Sequence, residues 1–213
     1  SSAASDVYKR QPITYLDKDG KVQVCNEYTV LTSNTADSIL DLDDKWYDLP
    51  AGWYVVEGNV TITPRLDTHG AVNLILTNGS HLTAEWGIDV KVGDTFTVYA
   101  QSTDEGTMGR LTACLPADFN LDRIVHYSVW PDSGMAGIGS SARWRAGNDG
   151  IRESEGTIII NGGNIHAKGQ QGSSAIGGSD YDRNVSSDGD TPGNLRQGGS
   201  ITINGGIVCT ELR

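Results

Sequence analysis

Basic charge is in short supply. Lysine and arginine total 16 against 27 aspartates and glutamates, a formal net charge of −11. That balance excludes nucleic acid and anionic membrane surfaces as the main partner. Cysteine is equally sparse: Cys25, Cys114 and Cys209 lie far apart in no C-x-x-C or other metal spacing, so they are expected to be buried structural thiols. The histidines His69, His81, His126 and His166 show no H-x-x-x-H or H-E-x-x-H spacing, which leaves no zinc motif. No run is apolar enough for a bilayer-spanning helix, so no membrane insertion is expected in this segment. No glycine-rich segment leads into a helix as a phosphate loop requires, and no serine-centred nucleophile elbow is present. Nothing here names a reaction.

What the chain does have is glycine, 27 of 213 residues, and a phrase repeated near its end. Gly156-Thr157-Ile158-Ile159-Ile160-Asn161-Gly162-Gly163 returns as Gly199-Ser200-Ile201-Thr202-Ile203-Asn204-Gly205-Gly206. Each copy follows a shorter phrase, Ala136-Gly137-Ile138-Gly139 or Ser174-Ala175-Ile176-Gly177. Each is followed by another apolar run, Asn164-Ile165-His166-Ala167 or Ile207-Val208-Cys209-Thr210. Such self-similarity signals stacked units that bury their apolar faces only against neighbours. Ile158, Ile160, Ile201 and Ile203 should then point inward in matching columns. Asn161 and Asn204 should stack as an amide ladder in a turn, with glycine supplying positive φ.

Upstream, short alternating runs continue the rhythm. Strands are expected at residues 56–63, 70–77, 80–84, 88–92 and 95–100, punctuated by Asn78-Gly79 and Gly93-Asp94. Val72, Leu74 and Leu76 should face one side, and Asn73, Ile75 and Thr77 the other; Ile88, Val90, Val92, Phe96 and Val98 extend the core pattern. Asp17-Lys18-Asp19-Gly20 marks a hairpin between Ile13-Thr14-Tyr15-Leu16 and Val22-Gln23-Val24-Cys25. Residues 34–46 read equally as a helical turn or a strand. The fold class is all-β: a parallel β-helix with long inserted loops, with a Greek-key β-sandwich as the alternative. Residues 1–11 resemble a translated adapter sequence and are set aside as a non-native leader. Residues 12–52 read as an N-terminal lead-in and 53–213 as the repeat domain. The chain is expected to be a piece of a longer protein.

Trp53-Tyr54-Val55-Val56-Glu57-Gly58-Asn59-Val60-Thr61-Ile62 and Val72-Asn73-Leu74-Ile75-Leu76-Thr77-Asn78-Gly79 carry a family resemblance, as do Thr97-Val98-Tyr99-Ala100 and the A-G-I-G and G-x-I-x-I-N-G-G phrases. Together they resemble the β-helix repeat domain of large secreted or surface proteins of gut Firmicutes and related bacteria. The resemblance implies a right-handed parallel β-helix, an extracellular or cell-surface location, and neighbouring adhesive or carbohydrate-active modules. It implies no catalytic residue, because its pattern consists of core aliphatics and turn glycines.

Individual chemistry would sit in three long loops, residues 115–134, 140–155 and 178–198. The second and third interrupt equivalent points of successive repeats and should emerge side by side. That makes Trp144 and Tyr181 neighbouring aromatic candidates, with Arg143, Arg145, Asp149 and Arg183 around them. Carbohydrate recognition uses this mixture of flat apolar faces and charged groups for hydroxyls; the alternative is that Trp144 packs as a lid on its own loop. Asp180, Asp182, Asp188 and Asp190 supply hard oxygen ligands for calcium, or form a solvated acidic loop. Paired carboxylates also serve glycosidases and lyases. The expected function is a non-catalytic module of a surface or secreted protein, a scaffold that binds carbohydrate or a host ligand. The alternative is the N-terminal part of a β-helix carbohydrate-active enzyme, and a plain spacer comes third.

Overall fold

The computed structural model describes residues 11–35, 46–114, 136–140, 155–169, 173–178 and 199–211, and every regular element among them is a β-strand. The first elements among the described residues are the hairpin strands β1 (Ile13–Leu16) and β2 (Val22–Cys25), paired antiparallel across the Asp-Gly turn. Asp17 Oδ1 accepts the backbone N–H groups of Asp19 and Lys21, each at 2.9 Å, and Gly20 takes φ +73°. A carboxylate that hydrogen-bonds its own turn and a glycine free to adopt positive φ are what a tight hairpin needs.

Next come β3 (Thr29–Val30), β4 (Tyr47–Leu49), β5 (Gly52–Val56) and β6 (Asn59–Ile62). From there strands arrive in threes. The first triplet is β7 (Leu66–Thr68), β8 (Ala71–Leu76) and β9 (His81–Ala84); the second is β10 (Ile88–Asp89), β11 (Thr95–Ala100) and β12 (Arg110–Ala113). The third is β13 (Ile138–Gly139), β14 (Thr157–Ile160) and β15 (Asn164–Lys168); the fourth is β16 (Ile176–Gly177), β17 (Ser200–Ile203) and β18 (Ile207–Glu211). Each strand of a triplet joins a different sheet. The short-strand sheet runs β16-β13-β10-β7-β4, the long-strand sheet β17-β14-β11-β8-β5-β3, and the third sheet β18-β15-β12-β9-β6. Every strand pair within them is parallel. A Greek-key sandwich is built from antiparallel pairs, so this topology goes against that alternative and is compatible with a parallel β-helix.

The three sheets share one core. Leu66, Ile88 and Ile138 from the short-strand sheet meet Val72, Phe96 and Ile158 from the long-strand sheet and Leu82, Leu111 and Ile165 from the third. The period of two sends every second residue inward, and each fully buried aliphatic contributes about 1.5–3 kcal/mol. Ile75 points outward as expected. It is buried all the same, because the hairpin packs over it and over Val55, with Cys25 in the same cluster.

Three expectations need correction. Ile201 and Ile203 pair in register with Ile158 and Ile160 but are 44% and 53% exposed. They lie on the edge strand of the described sheet, so their columns have a neighbour on one side only. Val92 is 68% exposed rather than in the core, since β10 ends at Asp89 and the chain turns at Gly93 with φ +91°. Cys25 is buried as expected, but Cys114 is only partly so and Cys209 is exposed.

The A-G-I-G phrase has a steric origin. A Cβ on Gly139, at φ +140°, would collide with the carbonyl of Gly177 in the paired strand, and one on Gly137 would lie 2.7 Å from the Ala175 carbonyl oxygen. Backbones approach here at a distance that only glycine permits. Residues 1–10 lie outside the described residues; Gln11, assigned with them to the leader, accepts a hydrogen bond on its carbonyl from Tyr28 Oη at 2.9 Å.

Candidate functional site

The candidates Arg143, Trp144, Arg145, Asp149, Asp180, Tyr181, Asp182, Arg183, Asp188 and Asp190 all lie outside the described residues. The roots of their loops do not. Gly139 pairs with Gly177 where the two loops leave, and Thr157 pairs with Ser200 where they return. Both loops therefore start and finish on adjacent strands.

Glu155 stands at the returning root of the first of these loops. Its side chain is buried, and Oε1 has no hydrogen-bond partner. It lies 3.7 Å from where a Cβ on Gly177 would sit, with Ser174 Oγ 3.6 Å from the same point. Burial pushes the Glu155 carboxyl above the ordinary glutamate range, a shift that a backbone hydrogen bond from Gly199 only partly opposes.

A second constellation occupies the outer face of the short-strand sheet. In Arg65-Leu66-Asp67-Thr68-His69 and Ile88-Asp89-Val90-Lys91, apolar residues enter the core and ionisable ones alternate with them. Register then aligns Asp48, Asp67 and Asp89 in one column, continued by Gly139 and Gly177. Lys91 Nζ lies 2.7 and 2.9 Å from the two oxygens of Asp67 and 3.8 Å from Asp89 Oδ2. His69 Nε2 lies 3.3 Å from Asp48 Oδ1 and 3.6 Å from Asp67 Oδ2. Arg65 Nη1 donates to the carbonyls of Trp86 and Ala136, and Nη2 to those of Ile88 and Gly139. It also reaches Asp89 Oδ1 at 3.7 Å. The guanidinium fits because Gly87 has no side chain: a Cβ there would lie 2.8 Å from Nη1. One planar five-donor group thus ties three successive turns of the chain, a role lysine would not fill.

Chemically this column is a clamp. Three carboxylates face an arginine, a lysine and a histidine, and Arg65, Asp67 and Asp89 are buried. Among the described residues, Asp48, Asp67 and His69 are the group able to hold a metal ion, with ligand atoms within 4.8 Å of one another. Lys91 already lies against both oxygens of Asp67 and would compete with such an ion. None of these residues stands out as a motif. The signal available in the sequence was the alternation of ionisable and apolar residues at 65–69 and 88–91.

The third feature is a groove of about 300 Å³ between the β1–β2 turn, residues 102–108 and the two Asn-Gly-Gly turns. The expected ladder is present: Asn204 Nδ2 donates to Asn161 Oδ1 at 2.7 Å, and the second glycine of each turn has positive φ, +96° at Gly163 and +90° at Gly206.

No protein-family model, characterised protein or solved structure matches the chain. Among the described residues no helix is long and apolar enough to cross a membrane.

Proposed function

We propose that this chain is a right-handed parallel β-helix module of a secreted or surface-attached bacterial protein, a non-catalytic scaffold whose long loops bind carbohydrate or a host ligand. The observation that carries this reading is the register at the loop roots. Gly139 beside Gly177 and Thr157 beside Ser200 launch residues 140–155 and 178–198 from neighbouring strands. Trp144 and Tyr181, with Arg143, Arg145, Asp149 and Arg183, are the proposed contacts, and Asp180, Asp182, Asp188 and Asp190 the proposed calcium ligands. Support for a scaffold comes also from the clamp, whose charges answer one another.

The test is a glycan array probed with multimerised protein, because single-ring stacking contributes only about 0.5–1.5 kcal/mol beyond buried area and needs avidity to register. Trp144→Ala and Tyr181→Ala should each abolish the signal from this face. A signal unchanged in both would place the binding away from the loop face, and no signal in the unaltered protein leaves only a spacer.

A second reading has one observation behind it. Three aspartates in one column beside a histidine are material for glycoside hydrolysis or elimination. Release of reducing ends from a polysaccharide panel, lost in Asp48→Asn, would favour the enzyme.

A further inference from the structure

We propose that the groove between the hairpin turn and the Asn-Gly-Gly turns is a binding site for a short, uncharged carbohydrate, separate from the loop face. The ligand class rests on the carbohydrate reading above; the site stands on its own geometry.

The floor of the groove comes from the register of the long-strand sheet. Val55, Ile75 and Tyr99 form one outward column, and the hairpin covers it. Asn161 follows Ile160 as Tyr99 follows Val98, and Val98 pairs with Ile160. The same strip therefore continues past the hairpin, but there it is built of amides: Asn161, then Asn204. The ladder bond uses one N–H of Asn204 and fixes both amide planes. Asn204 is exposed among the described residues, and an amide that gives one N–H to the ladder still has an acceptor oxygen and a second N–H to offer, a pairing that suits a sugar hydroxyl.

Both walls are held before any ligand arrives. On one side, Asp17 accepts from Asp19 N, Lys21 N and Gln23 Nε2, at 2.9, 2.9 and 2.7 Å. On the other, Ser102 Oγ accepts from Asp104 N at 2.9 Å, and Thr107 Oγ1 donates to Asp104 Oδ2 at 2.9 Å. The N–H groups of Thr107 and Met108 donate to the Asp104 carbonyl. Walls already ordered cost little more to order on binding.

Size and charge select the ligand. A volume of about 300 Å³ lies at the small end of ligand sites and admits a mono- or disaccharide. Asp17 and Glu105 line it against the single cation Lys18, which is itself paired with Asp19 at 2.9 Å. Phosphate, sulfate and uronate groups meet repulsion there. No aromatic side chain lines the groove, so recognition runs through hydrogen bonds to hydroxyls at the ring edge.

The experiment titrates the full chain, and separately its multimer, with neutral, phosphorylated, sulfated and uronate oligosaccharides. Neutral sugars should bind. Asn204→Ala and Glu105→Ala should each weaken that binding about tenfold, the loss of one good hydrogen bond, while Trp144→Ala and Tyr181→Ala leave it unchanged. Glu105 is exposed, so its variant decides the matter even where Asn204→Ala lowers the melting temperature. Binding of neutral sugars that both groove variants leave intact, or a preference for acidic sugars, overturns the proposal. Binding lost only in Trp144→Ala or Tyr181→Ala overturns it while sustaining the loop-face reading. Absence of any sugar binding overturns both.

Discussion

The outer faces of the short-strand and long-strand sheets solve one problem in opposite ways. Each sheet turns its inner residues to the same core, and each must finish its outer surface. The long-strand sheet does so with apolar contact. Its strip of Trp53, Val55, Ile75 and Tyr99 is covered by the β1–β2 hairpin, with ring centroids of Tyr15, Trp53 and Tyr99 between 4.8 and 5.2 Å apart. A side-chain bond from Gln101 Nε2 to the Thr14 carbonyl at 3.0 Å fixes the hairpin in place. The short-strand sheet instead holds Asp67, Asp89, Arg65 and Lys91 in an ion network. Identical backbone pairing therefore leaves the energetics open. Apolar cover degrades gradually as contacts are trimmed, whereas a buried ion network fails when one partner is removed.

The largest expected effect breaks the network. Arg65→Met should destabilise by about 3–5 kcal/mol, because it takes the guanidinium charge from beside buried Asp89 and removes its hydrogen bonds to four backbone carbonyls. Urea unfolding at constant m-value checks this. A loss under about 1 kcal/mol would show that solvent or another group replaces the guanidinium, and would remove the contrast between the faces.

A smaller effect is expected on the apolar side. Trp53 is only partly buried, so Trp53→Ala should cost about 2 kcal/mol, roughly half the range for a fully buried tryptophan. Hydrogen exchange should quicken in residues 13–25 before it does in the core strands. Uniform quickening throughout would mean that the hairpin is integral to the stack rather than its cover.

The smallest effect sharpens the comparison by pH. Burial raises the Glu155 carboxyl above its ordinary range, so the folded protein binds this proton more tightly than the unfolded chain. Stability from this group should then fall as pH rises from the usual glutamate value through the raised one. Glu155→Gln should flatten that slope and raise the melting temperature at neutral pH. A slope that persists in the variant would assign the effect elsewhere. Trp53→Ala should leave the pH profile unchanged in shape, since it removes no ionisable group.

Much of the fold was legible because it depends on short-range pattern. The period of two marked Val72, Leu74, Leu76, Phe96 and Ile158 as core residues, and Asp-Gly marked the hairpin. The repeated I-x-I-N-G-G led to the ladder of Asn161 and Asn204. Where reading failed, the missing information was non-local. Val92 continued the alternation in sequence, but no neighbour received it once β10 ended at Asp89. Ile75 read as an outward residue, and only the distant hairpin buried it.

The charged column was the chief omission among candidate sites. Asp48, Asp67 and Asp89 are separated by 19 and 22 positions, and nothing local distinguishes them from aspartates in turns. The groove was equally invisible, since its walls come from residues 16–20 and 102–108 and its floor from the two Asn-Gly-Gly turns.

By itself the sequence determined the strand alternation, the turn chemistry and the spacing of the repeats, because these follow from period-two side-chain geometry and from glycine's freedom at positive φ. Tertiary structure alone decided which outward residues meet. Parallel register sets Asp67 beside Asp48 and Asp89, bonds Arg65 to the two turns of chain that follow its own, and lays the hairpin over Ile75 while leaving Asn204 exposed. Those outcomes depend on contacts between residues far apart in the chain, whose energies no local pattern encodes.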